Sequence, residues 1–334
     1  MSSADGSSQV VAVTGATGFL GSHVADALLA AGFGVRASVR PTSDLCWLRD
    51  KPVETIQLDL TDVDDCRRLL AGTCGLIHCA GVVSAANEND YQRGNVATTE
   101  ALLDAASISW RDSADAPFIL ISSLAAHGPA PHSQPASESA PSHPITSYGR
   151  SKRSAERLVN DGRWSFRTVV LRPPSLYGPR DREFLPLLKL ACRGWTVRVG
   201  RSLSGLSLVD GRDAAAAAVQ ALTVPAVRGT FFLDDGRAGY TWQELATALE
   251  RATGRSIRSI QIPLAPLKLA SRLLGTRLAS RTLLLNPDRI RDLQASGWVC
   301  DGARFAATSG YTGFRDAGTG LSETLAFYRE QGWL

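Results

Sequence analysis

Short apolar runs and longer helix-forming segments follow one another along most of the chain. The short runs, such as residues 10–13 and 117–121, are continuous, which is typical of parallel strands buried on both faces. The longer segments, such as residues 22–31 and 148–159, follow these runs and predict helices. Strands that alternate with helices predict an α/β fold built on a doubly wound parallel Rossmann sheet.

From about residue 175 the chain is predicted to alternate between two domains. Residues 206–213, followed by an alanine-rich helix and a strand over 229–233, indicate a return to the main sheet. Thr241, with Glu244 three residues later, has the capping-box pattern that begins a helix. We therefore predict a flexible tail (1–8), an NAD(P)-binding domain (9–174 plus 207–234) and a smaller, mostly C-terminal α/β substrate-binding domain (175–206 plus 235–334).

Composition excludes several classes of protein. The chain has 334 residues, 44% hydrophobic and 20% charged, which are ordinary values for a globular protein. Its net charge of +4, without a basic tract, gives no reason to expect nucleic acid as a partner. No apolar run approaches the roughly 18 residues of a membrane span. The cysteines show no metal-binding spacing, so we expect reduced thiols, no metal site and a cytoplasmic protein.

Three glycines link the first predicted strand to the first predicted helix. Gly15 permits a tight turn, Gly18 lets the backbone approach a pyrophosphate, and Gly21 allows the helix to pack closely on the sheet. The N–H groups and the positive dipole end of the helix would then face the phosphates. Strand, glycines and helix occur in the order that a dinucleotide site requires.

The spacing Thr14-Gly15-x-x-Gly18-x-x-Gly21 resembles that of the extended short-chain dehydrogenase/reductase family. Three later segments resemble motifs of the same family: His78-Cys79-Ala80-Gly81, Asn95-Val96-Ala97-Thr98-Thr99, with Thr98 in place of glycine, and Arg172-Pro173-Pro174-Ser175-Leu176-Tyr177-Gly178-Pro179. Together the motifs and the resemblance imply cofactor-binding roles for Gly15, Thr17, Gly18, Phe19, Leu20, Arg40, Asp59, Leu60, Ala80, Gly81, Asn95, Tyr148, Lys152 and Pro173.

The end of the second predicted strand carries the signal for the type of cofactor. An acid at this point would hold the ribose 2′-OH of NAD(H), whereas an arginine pairs with the 2′-phosphate of NADP(H). Arg40 ends this strand and no acid occurs before Asp44, so NADP(H) is favoured and NAD(H) stays possible. Alternatively, Arg40 stacks on adenine and Arg36 is a solvated charge. Asp62, after the third strand, is predicted to cap the next helix.

Tyr148 and Lys152 form the Tyr-x-x-x-Lys motif of the family, and residues four apart share one helix face. Lowering the pKa of a phenol by 2–3 units from about 10 requires roughly 3–4 kcal/mol. A positive charge about 4 Å away supplies around 4 kcal/mol at an effective dielectric constant of 20. Ser123, at the end of a buried strand, is preferred over Ser122 as the hydroxyl that polarises the carbonyl. It precedes Gly128 by five residues, as the family's catalytic serine does.

Two departures from the family pattern bear on the substrate. Ser175 stands where nucleotide-sugar enzymes of the family have asparagine, and residues 204–207 lack their diphosphate-binding arginine. The resemblance therefore favours an NADP(H)-dependent oxidoreductase that interconverts a ketone and a secondary alcohol on a small, hydrophobic, steroid- or flavonoid-like substrate. This branch is similar to 3β-hydroxysteroid dehydrogenases and dihydroflavonol reductases. The alternatives are an NAD-dependent nucleotide-sugar epimerase or dehydratase and a cofactor-binding regulator without chemistry.

Residues 251–287 contain seven basic and no acidic residues, together with several leucines. One interpretation is weak contact with a membrane surface through residues 264–285. The other, which we favour, is an amphipathic helix packed on the substrate domain. The resemblance also implies a homodimer that pairs through the helices bearing Asn95 and Tyr148.

Overall fold

A computed structural model describes residues 9–85, 87–113, 115–199, 204–237, 239–266 and 287–334. Its strands are β1 (Val10–Thr14), β2 (Gly34–Val39), β3 (Val53–Gln57), β4 (Gly75–His78), β5 (Pro117–Ile121), β6 (Arg167–Arg172), β7 (Ser175–Tyr177), β8 (Trp195–Val199), β9 (Leu208–Asp210), β10 (Gly229–Phe232) and β11 (Arg258–Ile262). Its α-helices are α1 (Phe19–Ala30), α2 (Val63–Leu70), α3 (Glu88–Tyr91), α4 (Thr98–Ser109), α5 (Ser147–Val159), α6 (Leu185–Ala191), α7 (Gly211–Thr223), α8 (Trp242–Thr253), α9 (Pro287–Gln294), α10 (Ala303–Ser309) and α11 (Ala317–Glu330).

Seven strands form one parallel sheet in the order β10-β6-β5-β4-β1-β2-β3, which confirms the predicted doubly wound fold. The strand order reverses between β1 and β4. In open α/β sheets, ligands bind at such a switch point, beyond the carboxyl ends of the strands. The sheet therefore places the first glycine turn and the residues after β4 at one crevice.

Helices cover both faces of this sheet. Val11 and Val13 face a core shared with α1 and α7, whereas Ala12, between them, faces a core shared with α2, α4 and α5. Both sides of β1 are fully buried, which explains why its sequence is a continuous apolar run. Phe305 of α10 also packs in the first core, with its ring 5.8 Å from that of Phe231.

A smaller layer lies beside the main sheet and consists of two parallel strand pairs, β7 with β9 and β8 with β11, and the helices around them. Its core contains Tyr177, Leu188, Leu249, Leu325 and other buried apolar residues. The predicted capping box is present at the start of α8, where the side chain of Thr241 and that of Glu244 each bind the other's backbone N–H. Local polar contacts therefore define where this helix begins.

A stretch rich in proline and serine contains no helix or strand between residues 129 and 146. It is held by an extended segment from the C-terminal part of the chain. Ala130 N donates to Gly297 O, and Ala136 N donates to Val299 O. Glu138 accepts a hydrogen bond from the backbone N–H of Phe232. Hydrogen bonds therefore hold this segment at several points along its length, and we call residues 129–146 the pinned loop.

Within the described ranges, no helix is long and apolar enough to cross a membrane. The same part of the chain contains no group of three or more side chains arranged to hold a metal ion. The tail 1–8 and most of the basic segment 264–285 lie outside the described residues.

Candidate active site

The glycine turn between β1 and α1 has the geometry that its sequence predicts. Gly15 has φ +70° and accepts a hydrogen bond from Gly18 N at 3.0 Å. A Cβ on Gly21 would overlap the carbonyl oxygen of Gly15, so close packing requires glycine there. The first turn of α1 has neither a side-chain cap nor an acidic residue. Its N–H groups lack intrahelical acceptors, so this donor set fits a pyrophosphate.

The other residues predicted in this turn lie beside it. Thr17 is half-buried in the turn, and Phe19 and Leu20 are the first residues of α1. The Phe19 ring packs against His23 at 5.6 Å, and a Cβ on Gly211 would lie 2.5 Å from its edge. Because the Phe19 side chain packs against protein, its contact with a cofactor would be made by its backbone.

Arg40 is exposed just beyond β2, in a turn where its N–H donates to the hydroxyl of Ser43. Arg36 differs from it, since its guanidinium binds Glu54 at 2.7 Å and the backbone carbonyl of Ala71. Of these two arginines, Arg40 is therefore the one exposed to solvent at the end of the strand. The different environments of Arg36 and Arg40 could not be predicted from their spacing, because both arginines lie on or beside the same strand.

Asp59 and Leu60 follow β3. The Asp59 carboxylate accepts hydrogen bonds from the N–H and hydroxyl of Thr61, which lower its pKa. Leu60 is partly buried against the core on the α2 side of the sheet. Asp62 accepts a hydrogen bond from Asp65 N, which confirms its predicted role as the N-cap of α2.

The turn after β4 is tied to neighbouring elements. Ala80 N donates to the Thr14 hydroxyl at 3.1 Å. Asn95, which is 1% exposed, accepts from Val82 N and donates to both Val82 O and the Ser151 hydroxyl. The amide to which the resemblance assigns cofactor binding is therefore used to hold this turn against α5.

Lys152 lies under the same turn. Its ammonium donates to Ile121 O at 2.8 Å, and a Cβ on Gly81 would lie 3.2 Å from Nζ. Burial lowers the pKa of Lys152 from 10.5 to about 8. The positive charge assumed from sequence is therefore present at pH 7 but is lost in moderately alkaline solution.

Ser123 and Ser122, at the end of β5, have different environments. Ser123 is half-buried and its hydroxyl caps a short 3₁₀ helix by accepting from Ala125 N at 3.1 Å. Ser122 is 4% exposed and donates to Glu156 at 2.6 Å, inside the protein. Ser123 is therefore the more exposed of the two serines, and its role as the hydroxyl that polarises the carbonyl stays a prediction. Leu124 N donates to Pro173 O, which joins this turn to the proline turn after β6.

Tyr148 lies in the first turn of α5, and its ring is 6.3 Å from that of Tyr91. Thr146 caps the helix by accepting from Gly149 N at 3.0 Å. A Cβ on Gly149 would overlap the carbonyl oxygen of Ala125. Only glycine at this position lets the helix that carries Tyr148 approach the turn that carries Ser123. The sequence interpretation missed this role for Gly149.

A buried ion pair beneath the site was also missed. Glu156 is fully buried and binds Arg172 through both carboxylate oxygens, at 2.8 and 2.7 Å. It also accepts from Ser122 and Arg153, while Arg172 reaches the hydroxyl of Ser142 at 3.4 Å. This cluster connects α5, the ends of β5 and β6, and the pinned loop. The sequence contains one signal for Glu156: it follows Lys152 by four residues, so the two side chains share one face of the helix.

Replacing Arg172 with methionine is expected to lower the free energy of unfolding by about 3–5 kcal/mol, because Glu156 would lose its bidentate partner while buried. Urea denaturation measures this loss. The double variant Arg172→Met/Glu156→Leu removes both charges and should recover most of it. Arg228→Met, at an exposed pair with Asp115, is the control and should have little effect. If the double variant is no more stable than Arg172→Met, the loss of stability does not come from the unpaired charge of Glu156.

The structure also shows the surroundings of the two segments that depart from the pattern of nucleotide-sugar enzymes. Ser175 begins β7, directly after the proline turn. Ser204 accepts from His132 N at 3.0 Å and donates to Ser296 O at 2.6 Å. Ser204 therefore holds the pinned loop and the C-terminal segment together.

The model of the NAD dependent epimerase/dehydratase family matches residues 11–230, from β1 into β10. The chain belongs to this family. The resemblance to extended short-chain dehydrogenases/reductases, predicted from the glycine and Tyr-x-x-x-Lys motifs, is thereby confirmed.

This family member is similar over nearly its whole length to two proteins that are named as enzymes. It is 32% identical over 328 residues to the ceramide reductase of Caulobacter vibrioides, covering 97% of this chain and 96% of that protein. It is 26% identical over 357 residues to a decarboxylating sterol-4-alpha-carboxylate 3-dehydrogenase of Saccharomyces cerevisiae, covering 96% and 98%. With such relatives, this epimerase/dehydratase-family chain is an NAD(P)-dependent oxidoreductase.

Solved structures agree on the fold. The crystal structure of gox2253 has a TM-score of 0.78 and 24% identity, covering 97% of this family member and 99% of that chain. The UDP-glucose 4-epimerase of Thermus thermophilus, in complex with NAD, has a TM-score of 0.75 and 20% identity, covering 96% and 99%. At these identities the likeness shows the fold alone.

Proposed function

We propose that this protein uses NADPH to reduce a ketone on a hydrophobic, lipid-like substrate to a secondary alcohol. The observation that carries the proposal is the joining of three elements at one sheet edge. The buried ammonium of Lys152 binds the end of β5 and lies beneath Gly81, and Gly149 seats the helix bearing Tyr148 against the Ser123 turn. The elements that carry a phenol, an ammonium and a hydroxyl thus contact one another, and the turn after β4 adjoins the glycine turn, since a Cβ on Gly15 would lie 2.7 Å from Ala80 N.

In the proposed reaction the bound nicotinamide cofactor supplies a hydride to the carbonyl carbon. Ser123 would donate a hydrogen bond to the carbonyl oxygen, and Tyr148 would transfer its phenolic proton to that oxygen as the alcohol forms. Lys152 would stabilise the negative charge that develops on the phenol. The first turn of α1 would bind the pyrophosphate, and Arg40 would bind the 2′-phosphate.

A substitution of Arg40 tests the proposed preference for NADPH over NADH. Arg40→Ala is expected to raise the Kd of NADPH about 10- to 100-fold, because hydrogen bonds to charged groups contribute about 1.5–3 kcal/mol. The Kd of NADH should change little. Arg36→Gln is the matched control, since Arg36 binds Glu54 and backbone carbonyls. Fluorescence titration gives the ratio of the two constants, and an unchanged ratio in Arg40→Ala would refute the role of Arg40.

The substrate class is supported by the named relatives. Ceramide is the lipid in the name of the Caulobacter relative, and a sterol in that of the yeast relative. A ceramide contains a secondary alcohol beside its amide-bearing carbon, so the matching ketone is a 3-oxo-ceramide. Ser175, in place of the asparagine of nucleotide-sugar enzymes, and the lack of their arginine in residues 204–207 also favour a substrate without a diphosphate.

The test is NADPH oxidation by the purified protein with a 3-oxo-ceramide in detergent, a 3-oxosteroid, a dihydroflavonol and UDP-glucose. We expect turnover with the lipid ketone, an alcohol product by mass spectrometry, and no reaction of UDP-glucose. Protein that purifies with stoichiometric NAD and interconverts UDP-sugars without net cofactor consumption would overturn the proposal in favour of an epimerase.

A further inference from the structure

A surface cleft of about 400 Å³ lies at the outer edge of the smaller layer, at the start of the strand pair β8–β11. Its basic residues come from three places in the chain: Arg193 follows α6, Arg255 follows α8 and Arg258 begins β11. Trp195, the first residue of β8, lines the same cleft and is 37% exposed. The parallel pairing of Arg258 with Trp195 brings these separate segments together.

The positive charge of this cleft is not neutralised by nearby acids. Among the described residues, Arg193, Arg255 and Arg258 take part in no ion pair. The chain has no acidic residue between Glu183 and Asp210, or between Glu250 and Asp288. The Glu250 carboxylate, near in sequence, accepts a hydrogen bond from Ile257 N at 2.8 Å. The arginines are therefore available to an external anion.

Aromatic and aliphatic side chains are exposed among these cations. Ile260 of β11 is 45% exposed, and the Arg258 guanidinium lies 5.8 Å from the Trp195 ring. A second cleft of about 360 Å³ shares Arg193 and is lined by Lys189, Cys192, Trp333 and Leu334. Leu334 is 39% exposed, so the surface continues across the residues of this second cleft.

We propose that this surface, defined by Arg193, Arg255, Arg258, Trp195 and Ile260, docks the protein on a bilayer that contains anionic phospholipid. The arginines would bind headgroup phosphates, which accept paired hydrogen bonds from guanidinium. The tryptophan and the isoleucine would enter the headgroup boundary, where amphipathic aromatic rings are favoured. Cations interspersed with exposed apolar groups fit this partner better than a nucleic acid. The surface is independent of which ketone is reduced.

The test is co-sedimentation of the full chain, without cofactor or substrate, with vesicles of phosphatidylcholine alone or mixed with phosphatidylglycerol. We expect binding to the mixed vesicles only, weakened by salt. Arg193→Gln/Arg255→Gln/Arg258→Gln should weaken it about 100-fold, since each arginine near an anionic surface contributes about five-fold. Trp195→Ala should weaken it further. The control Arg67→Gln/Arg68→Gln/Arg163→Gln removes the same charge elsewhere and should bind as the wild type does.

Four results would overturn the proposal. The first two are no binding to mixed vesicles and binding that the cleft variant retains in full. The third is equal affinity for soluble glycerophosphoglycerol, which would indicate a small-anion site without a bilayer. The fourth is stronger binding to single-stranded DNA than to vesicles. NADPH oxidation with a water-soluble ketone, measured on the cleft variant, should match the wild type and shows that the variant is folded. Because vesicle binding is measured without turnover, its failure is distinct from failure of the proposed reaction.

Discussion

Replacing Tyr148 with phenylalanine is expected to lower kcat for NADPH-dependent ketone reduction about 10²- to 10⁴-fold, the usual contribution of a positioned general acid. The ring would be retained, so packing against Tyr91 and the start of α5 should persist. The Kd of NADPH should be nearly unchanged, because the phenol acts on the substrate carbonyl. Steady-state kinetics and fluorescence titration of the same preparation separate the two effects.

Tyr91 provides the matched control for this experiment. It is buried beside Tyr148, and its hydroxyl lies 3.5 Å from Val83 O. Tyr91→Phe removes an equivalent hydroxyl from the same neighbourhood and should keep kcat within a few-fold of the wild type. Turnover retained by Tyr148→Phe would show that another group donates the proton. Equal losses in both variants would point to a structural effect.

Replacing Lys152 with methionine is expected to lower kcat about 10³-fold while leaving the folded protein about as stable as the wild type. The loss of rate follows from removing the positive charge that is proposed to stabilise the phenolate, since a charge about 4 Å away is worth around 4 kcal/mol at an effective dielectric constant of 20. Stability is preserved because two effects oppose each other. The variant loses a hydrogen bond to Ile121 O, but it no longer buries a charge whose pKa is lowered to about 8. Arg157→Met, which removes an exposed positive charge from the last turn of the same helix, is the control for kcat.

The pH dependence of stability checks the same residue. In the folded protein the pKa of Lys152 is about 8, against 10.5 for the ordinary side chain. Between these values the unfolded chain binds more protons than the folded protein, so this residue makes the free energy of unfolding rise with pH. The difference in stability between wild type and Lys152→Met should therefore shift in favour of the wild type from pH 8 to 10.5. Urea denaturation across this range measures it, and a constant difference would mean that Lys152 titrates normally.

Local features of the fold were predictable because their interactions join residues close in the chain. The turn at Gly15 and Gly21, the capping box at Thr241 and the N-cap at Asp62 each depend on neighbours within about six positions. The prediction that Tyr148 and Lys152 share one face of a helix depends on helix periodicity alone. Such patterns identify the family without knowledge of the tertiary contacts.

The environment of the site was not predictable, because it depends on partners distant in the chain. Arg172 meets Glu156, and Gly149 meets Ala125, only after the strand order of the sheet has brought their elements together. The lowered pKa of Lys152 reflects desolvation, which is a property of all the atoms packed around a charge and of no local motif. Sequence patterns record which chemical groups are present, whereas folding sets their distances and their access to water, on which their reactivity depends.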